Sequence, residues 1–131
     1  MTPDAFIESA IAAGERHGVE TLDPDQQLVF LLSEAECLSD MEGIDSFLGK
    51  YAPRWLAEAA AAFESIGAVE IANELRAAPP DAPVGDPRLD RLNKLVTTRA
   101  GYDYEALRRV VAERRGVATD AEPGAAADGG S

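Results

Sequence analysis

The stretch DPDQQLVFLLSEAECL, residues 23–38, decides the fold of this chain. Its first residue, Asp23, is of a type that caps helices, and Gln26 three positions later is of the type that completes a capping box. Apolar side chains then recur at the spacing of an α-helix, at Leu28, Leu31, Leu32, Ala35 and Leu38. This pattern predicts a helix with an apolar face, and such a face needs other helices to cover it.

Prolines and glycines divide the rest of the chain into further predicted helices. Four of the eight prolines stand where a helix would begin, because a proline in the first turn loses no hydrogen bond: Pro3, Pro24, Pro53 and Pro87. The predicted helices span residues 3–17, 23–38, 40–51, 53–66, 69–78, 86–96 and 103–115. A single Gly67 between the fourth and the fifth predicts a tight hairpin or a kink.

The apolar positions of these helices form the predicted core. It includes four aromatic residues: Phe47, Tyr51, Trp55 and Phe63. Aromatic residues at helical spacing are more typical of a core than of a binding stripe. Val69 and Tyr104 are also predicted to face inward, near the starts of helices five and seven.

Composition supports a helical fold class. The chain has 24 Ala against 13 Val plus Ile, so its propensities favour helices over strands. We therefore predict an all-α fold, a single compact bundle of six or seven short helices over residues 2–116. Residues 79–86, PPDAPVGD, form a predicted loop within it. Residues 117–131 have almost nothing to bury and are predicted to be a disordered, acidic tail rich in Ala and Gly.

The charge of the chain excludes whole classes of function. With 24 acidic and 12 basic residues among 131, the chain carries a net charge of −12, whereas direct nucleic-acid binding needs a basic surface. No apolar run approaches the roughly 18 residues that cross a bilayer, and no signal-peptide pattern is present. We expect a soluble, cytoplasmic protein without membrane contact. Its one cysteine excludes an internal disulfide.

Acidic residues are concentrated in the first part of the chain. Residues 1–50 hold eleven acidic and two basic residues, a net charge of −9. Carboxylates four residues apart on a helix lie about 6 Å apart along its axis, so a dense acidic run can line one ridge. The densest run lies at the end of predicted helix two and along helix three. We take it as a candidate protein-binding acidic face: Glu34, Glu36, Asp40, Glu42 and Asp45.

The basic segment of the chain leaves two alternatives open. Residues 81–116 hold six acidic and eight basic residues, a net charge of +2. Arginines of this segment can fold back on the acidic run and leave it a merely solvated face: Arg108, Arg109, Arg114 or Arg115. The same segment can instead supply a dimer contact, which keeps a homodimer among the expectations.

The inventory of reactive side chains predicts no catalytic residue, metal or cofactor. The single histidine, His17, lies at the predicted end of helix one, where a cation meets a favourable dipole. Cys37 has no second cysteine to pair with and is predicted to be a small buried apolar side chain. The acidic run leaves open a carboxylate-only metal site at Glu34, Asp40 and Glu42, although ferritin-like sites add histidine. No glycine-rich phosphate loop occurs.

Two segments carry a resemblance to a known family. In AAFESIGAVEIANELRAA, residues 61–78, an Ala-rich helix is followed by an Ile-Gly-Ala turn and a second short helix. Before it, Gly43 and Phe47 hold family-like places, although the family's Asn-Gly-Gly is absent from residues 39–48. With these motifs, residues 25–78 resemble a family of small, acidic, all-helical bacterial proteins, a domain of unknown function that includes a DNA-mimic protein. A weaker likeness continues to about residue 115.

The resemblance implies a non-catalytic protein that binds other proteins. A DNA mimic places carboxylates where phosphates would lie in the basic groove of a DNA-binding protein, and duplex DNA offers roughly one charge per 1.7 Å of its axis. The implied partner is a basic DNA-binding protein or a nuclease. Two alternatives stay open: an immunity or antitoxin-type protein that blocks a cationic nuclease site, and an uncharacterised enzyme with a carboxylate site near Tyr51 or Tyr104.

Overall fold

The computed structural model describes residues 2–78 and 85–116, and these form an all-helical bundle. Its elements are α1 (Pro3–His17), a 3-10 turn (Val19–Thr21), α2 (Pro24–Met41), α3 (Ile44–Tyr51), α4 (Leu56–Ser65), α5 (Val69–Ala77), α6 (Pro87–Thr97) and α7 (Tyr104–Arg115). No strand occurs within the described ranges. The predicted all-α class is therefore confirmed. The predicted tail, residues 117–131, and residues 79–84 of the predicted loop lie outside the described residues.

The helix α2 forms the centre of the bundle and packs against α1, α3, α4, α6 and α7. Its residues Leu28 to Leu32 are all buried, so this part of α2 is covered on several faces. The ring of Phe30 lies so close to α1 that a Cβ placed on Gly14 would overlap its Cδ1 atom. A glycine at position 14 therefore permits the close approach of α1 and α2.

Side chains cap four of the helices where the sequence predicts a start. The Thr2 hydroxyl accepts a hydrogen bond from the Ala5 N–H at 3.1 Å at the start of α1. At α2, the Asp23 carboxylate accepts from the Gln26 N–H at 2.9 Å and the Gln26 side chain accepts from the Asp23 N–H at 3.0 Å. At α6 the Asp86 carboxylate accepts the Arg88 N–H, and at α7 the Asp103 carboxylate accepts the Ala106 N–H. The predicted capping box is confirmed, because capping depends on residues close in sequence.

The predicted start of helix three at residue 40 is wrong. Asp40 lies in the last turn of α2, which continues to Met41, and α3 begins only at Ile44. Between the two helices, Gly43 has a φ of 114° and donates its N–H to the Leu38 carbonyl at 2.8 Å. This left-handed geometry closes α2 and turns the chain, and glycine adopts it without steric cost.

The predicted start of helix four at residue 53 is also wrong. Pro53 lies in a turn over residues 52–55, and α4 begins at Leu56. In that turn the Trp55 N–H donates to the Tyr51 carbonyl at 2.8 Å, and the Leu56 N–H donates to the Pro53 carbonyl. A proline with its fixed φ suits a turn as well as a first helical turn, so its presence alone did not set the boundary.

Three side chains predicted to be buried are exposed. Val69 is 51 % exposed because it lies at the first position of α5, where Ile71 takes the inward place. Tyr104 is 54 % exposed and directs its hydroxyl to Asp4 on α1. Cys37 lies beside the inward stripe of α2 and is exposed. The predicted core aromatics Phe47, Phe63 and Tyr51 are buried, whereas Trp55 is half-buried.

None of the helices in the described ranges has both the length and the apolar character that crossing a membrane requires.

Candidate acidic protein-binding face

The five acidic residues of the predicted face lie at the junction of α2 and α3. Glu34, Glu36 and Asp40 belong to α2, Glu42 follows its last residue, and Asp45 lies in the first turn of α3. The three acids of α2 form hydrogen bonds or ion pairs with tyrosine, lysine or arginine side chains. Glu42 and Asp45, in contrast, have no basic partner within the described residues. The structure thus divides the run into two groups.

Glu34 faces α3 and is held there by two side chains. The Tyr51 hydroxyl donates to its Oε1 atom at 2.6 Å, and the Lys50 ammonium lies 3.4 Å from the same atom. The Glu34 side chain is only 15 % exposed as a result. Burial of Tyr51 and its hydrogen bond to Glu34 together hold the pKa of the phenol well above its usual value.

Glu36 and Asp40 lie one helical turn apart and share one arginine. The Arg99 Nε atom lies 3.3 Å from Glu36 Oε2, and its Nη2 atom donates to Asp40 Oδ2 at 3.0 Å. The Tyr102 hydroxyl donates to Glu36 Oε2 at 2.5 Å. Burial of Tyr102, followed by this hydrogen bond, raises the pKa of its phenol well above the ordinary range. We call Glu34, Glu36 and Asp40 the braced carboxylates.

Arg99 holds this arrangement from the segment between α6 and α7. Its φ is 55°, the only positive φ of a non-glycine residue within the described ranges. Besides its two carboxylate contacts, its Nη1 atom donates to the carbonyls of Val96 and Thr97 at 2.9 and 3.2 Å, so it also caps the end of α6. The hydrogen bond to Asp40 is the main cause that raises the pKa of its guanidinium.

An arginine of the basic segment does fold back on the acidic run, as one alternative predicted, but it is not one of the four arginines named there. The arginine that reaches the run is Arg99. Three of the four named arginines instead pair with other acids of the first two helices: Arg108 with Asp4, and Arg114 and Arg115 with Asp25. Arg109 is exposed and makes no ion pair with the described residues.

The remaining acids of the run gather with one that the sequence analysis missed. Glu42, Asp45 and Asp90 line a shallow cleft of about 190 Å³ between the α2–α3 junction and α6. Asn93 fixes the two sides together, because its Oδ1 atom accepts the Ile44 N–H at 2.8 Å. No lysine or arginine of the described residues pairs with any of these three carboxylates. We call them the open carboxylates.

Asp90 carried no sequence signal of its own. It is a single acid in the first turn of α6, within the segment of net positive charge, and only the packing of α6 against α2 and α3 brings it to the acidic run. Asp45 occupies the corresponding place in α3. Both positions suit a carboxylate, because the N-terminal end of a helix carries partial positive charge.

A second cleft with acidic walls lies on the other side of Glu34. It has a volume of about 440 Å³ and lies between the end of α1 and α3, where Glu15 and Glu20 join Glu34 and Lys50 around Tyr51 and Trp55. Glu15 and Glu20 are exposed and have no ion-pair partner among the described residues. The negative surface therefore continues from the α2–α3 junction toward the end of α1.

The three acids of the metal-site alternative are directed to different side chains. Within the described residues, no three His, Cys, Asp or Glu side chains are placed to hold a metal ion. Of the three acids of the metal-site alternative, Glu34 is directed to Tyr51, Asp40 to Arg99 and Glu42 to the Ser46 hydroxyl. His17 is exposed in the last turn of α1.

Comparison with known families gives one match. The sequence profile of the DMP19-like protein family matches residues 20–113, which is more than half of the chain. The chain therefore belongs to this family. The resemblance of residues 25–78 to the family that includes a DNA-mimic protein is confirmed, and so is its continuation through the last two helices. Neither a curated protein nor a solved structure matches the chain.

Proposed function

We propose that this DMP19-like protein is a non-catalytic, acidic binding domain that occupies the basic DNA-contacting surface of a DNA-binding protein. Membership of a family that includes a DNA mimic supports the kind of function. The observation that carries the proposal is the group of three open carboxylates, Glu42, Asp45 and Asp90, which meet in one cleft without a basic partner among the described residues.

In this proposal the acidic residues contribute to binding in two different ways. The open carboxylates make the direct contacts with cationic side chains of the partner, together with Asp40, whose side chain is 46 % exposed. Glu34 and Glu36 contribute negative charge to the face without contacting the partner directly, since their carboxylates already accept hydrogen bonds from Tyr51 and Tyr102. Helix ends present the carboxylates on a rigid frame, so a partner meets fixed charges in place of phosphates.

The first test is a pair of variants with the same change in charge. Glu42→Gln/Asp45→Asn/Asp90→Asn removes the open carboxylates. The control, Glu8→Gln/Glu58→Gln/Glu113→Gln, removes three exposed acids from α1, α4 and α7 that have no ion pair with the described residues. Proteins captured by the unmodified chain from a lysate at low and at high salt are identified by mass spectrometry. A captured DNA-binding protein is then purified, and its displacement from its own DNA is measured by fluorescence anisotropy.

We expect the unmodified chain to displace the DNA and the control to do so equally well. The open-carboxylate variant should bind about tenfold more weakly, since three exposed charge pairs are worth roughly 0.5 kcal/mol each. The affinity of the chain for the DNA-binding protein should fall steeply as salt concentration rises, as the affinity of such proteins for DNA does. If both variants lost the same affinity, the effect would come from net charge alone and not from the open carboxylates. Capture of a nuclease whose active site is blocked would overturn the DNA-binding-protein partner in favour of the immunity-type function.

A further inference from the structure

A mainly apolar cavity lies away from the open carboxylates, between α1, α2 and α7. Its volume is about 350 Å³, within the range of small-molecule sites. Its walls are mainly aliphatic and aromatic: Ile7, Ile11, Leu32, Ile66, Tyr102 and Leu107. On the α7 side, Val111 is the one buried residue of the helix, while Leu107 and Val110 are partly buried.

One end of this cavity is polar, and its two tyrosine hydroxyls already donate to carboxylates. The Tyr102 hydroxyl donates to Glu36, and the Tyr104 hydroxyl donates to Asp4 at 2.8 Å. The guanidinium of Arg99 donates to Asp40 and to two backbone carbonyls, and it forms an ion pair with Glu36. A ligand that brings only acceptors would therefore compete with these bonds, and the Ser33 hydroxyl is the other donor that lines the cavity.

Acceptors, in contrast, remain at the same end. Both bonds to Glu36 go to Oε2, so its Oε1 atom accepts nothing from the described residues. Asp103 uses Oδ1 to cap α7 through the Ala106 N–H at 2.8 Å, and its Oδ2 atom likewise accepts nothing from them. Two carboxylates against one guanidinium give this end a net negative charge. The complementary group is a cation that donates hydrogen bonds.

We infer that this cavity binds a small cationic amphiphile, in which an apolar or aromatic body carries an ammonium group. The body lies against Ile7, Ile11 and Leu107, and the ammonium donates to Glu36 and Asp103. This site goes beyond the proposed function: it takes a small molecule, whereas the open carboxylates at the α2–α3 junction contact a protein.

The test uses three probes of the same shape and different charge: 2-phenylethylamine, 2-phenylethanol and 3-phenylpropionate. Ethylamine, which has the charge without the ring, reports non-specific attraction to an acidic protein. Binding is followed by ¹H–¹³C NMR of the Ile and Leu methyl groups, at two salt concentrations. We expect the amine to shift the resonances of Ile7, Ile11 and Leu107 and to bind about tenfold more tightly than the alcohol, since a charge-assisted hydrogen bond is worth roughly 1.5 kcal/mol.

Variants test the polar end and the apolar wall of the cavity separately. Glu36→Gln should abolish the preference of the amine over the alcohol, while the alcohol still binds. Glu113→Gln, which removes an exposed acid of α7 outside the cavity, should leave that preference unchanged. Leu107→Trp should fill the cavity and abolish the binding of both probes, with circular dichroism to check folding.

Three results would overturn the inference. They are the absence of methyl shifts at millimolar amine, equal binding of the amine and the carboxylate, and equal shifts with ethylamine. Because the probe series is measured on the unmodified chain, the inference stays testable even if a variant fails to fold. It also stays separate from the proposed function, since neither the open carboxylates nor a protein partner enters the measurement.

Discussion

The braced and the open carboxylates meet on one acidic surface, yet the fold holds them differently. Glu34, Glu36 and Asp40 lie on α2 and bind Tyr51, Tyr102 and Arg99, whereas Glu42, Asp45 and Asp90 lie around a cleft at helix ends without a basic partner among the described residues. The first group ties α2 to α3 and to the segment before α7. We propose that the second group, together with the half-exposed Asp40, contacts the partner.

The number of acidic residues in a run of sequence therefore does not give the number of carboxylates that are free of partners within the fold. Each braced carboxylate has already exchanged part of its hydration for bonds within the fold, so a partner would have to compete with those bonds. An open carboxylate at a helix N-terminus interacts with the helix dipole and keeps its outward side free. The two groups should therefore respond in opposite ways to mutation: the braced one through stability and the open one through binding.

Alkaline pH should weaken the braced side most. All three tyrosines of the chain donate to carboxylates, and the pKa of Tyr104 is raised to about 12 by burial and by its bond to Asp4, with Tyr51 and Tyr102 raised further. A folded-state pKa above the unfolded value of about 10 contributes stability that is complete below pH 10 and is lost as pH rises through the folded pKa. Between pH 9 and 11 we expect a loss of about 3 kcal/mol from Tyr51 and Tyr102, measured by urea unfolding.

The absorbance of tyrosinate at 295 nm supplies the check on this alkaline effect. The native protein should show no ionisation near pH 10, and the stability loss of Tyr102→Phe over the same interval should be about 1 kcal/mol smaller than that of the unmodified protein. Normal titration of all three phenols in the folded protein would contradict the braced geometry.

Removal of Arg99 should have the next largest effect. Arg99→Ala leaves Glu36 and Asp40 one turn apart without their shared cation and removes the cap of α6, so we expect a loss of about 2 kcal/mol in the free energy of unfolding. Arg99→Gly should lose about 1 kcal/mol less, since glycine adopts the positive φ without strain. Arg109→Ala, with the same change in charge at an exposed position, should stay within about 0.5 kcal/mol of the unmodified protein. A similar loss in both alanine variants would mean that Arg99 acts only through net charge.

Neutralising the open carboxylates should affect stability least. In Glu42→Gln/Asp45→Asn/Asp90→Asn, lost interactions with the N-terminal ends of α3 and α6 oppose the relief of repulsion, so the net change should be below about 1 kcal/mol. Thermal unfolding followed by circular dichroism measures it. A loss comparable to that of Arg99→Ala would show that these carboxylates belong to the structural group after all.

The sequence predicted the helices best where their signals are local. The caps at Thr2, Asp23, Asp86 and Asp103 involve residues two or three positions apart, and the predicted starts of these helices agree with the structure to within one residue. The starts of α3 and α4 were missed because both follow turns. Gly43 and Pro53 fit several local conformations, and packing against α2 selects among them.

The candidate site was predicted in part. The sequence pointed to the acidic run, but it assumed one ridge of equivalent carboxylates. Arg99 and Tyr102 stand 59 and 66 positions from the acids that they hold, and Asp90 comes from α6, so no spacing rule connects them. The sequence gives the number of charged residues, whereas the distances between them depend on how the helices pack.

By itself, the sequence determined the helical class, the capped helix starts, the net charge of −12 and the acidic run between α2 and α3. Composition, capping and helical periodicity are properties of residues near one another along the chain. Only the tertiary structure decided which carboxylates are braced and which are open. Electrostatic pairing depends on distance through space, and the fold brings Arg99 to Asp40 and leaves Glu42, Asp45 and Asp90 together without a described cation.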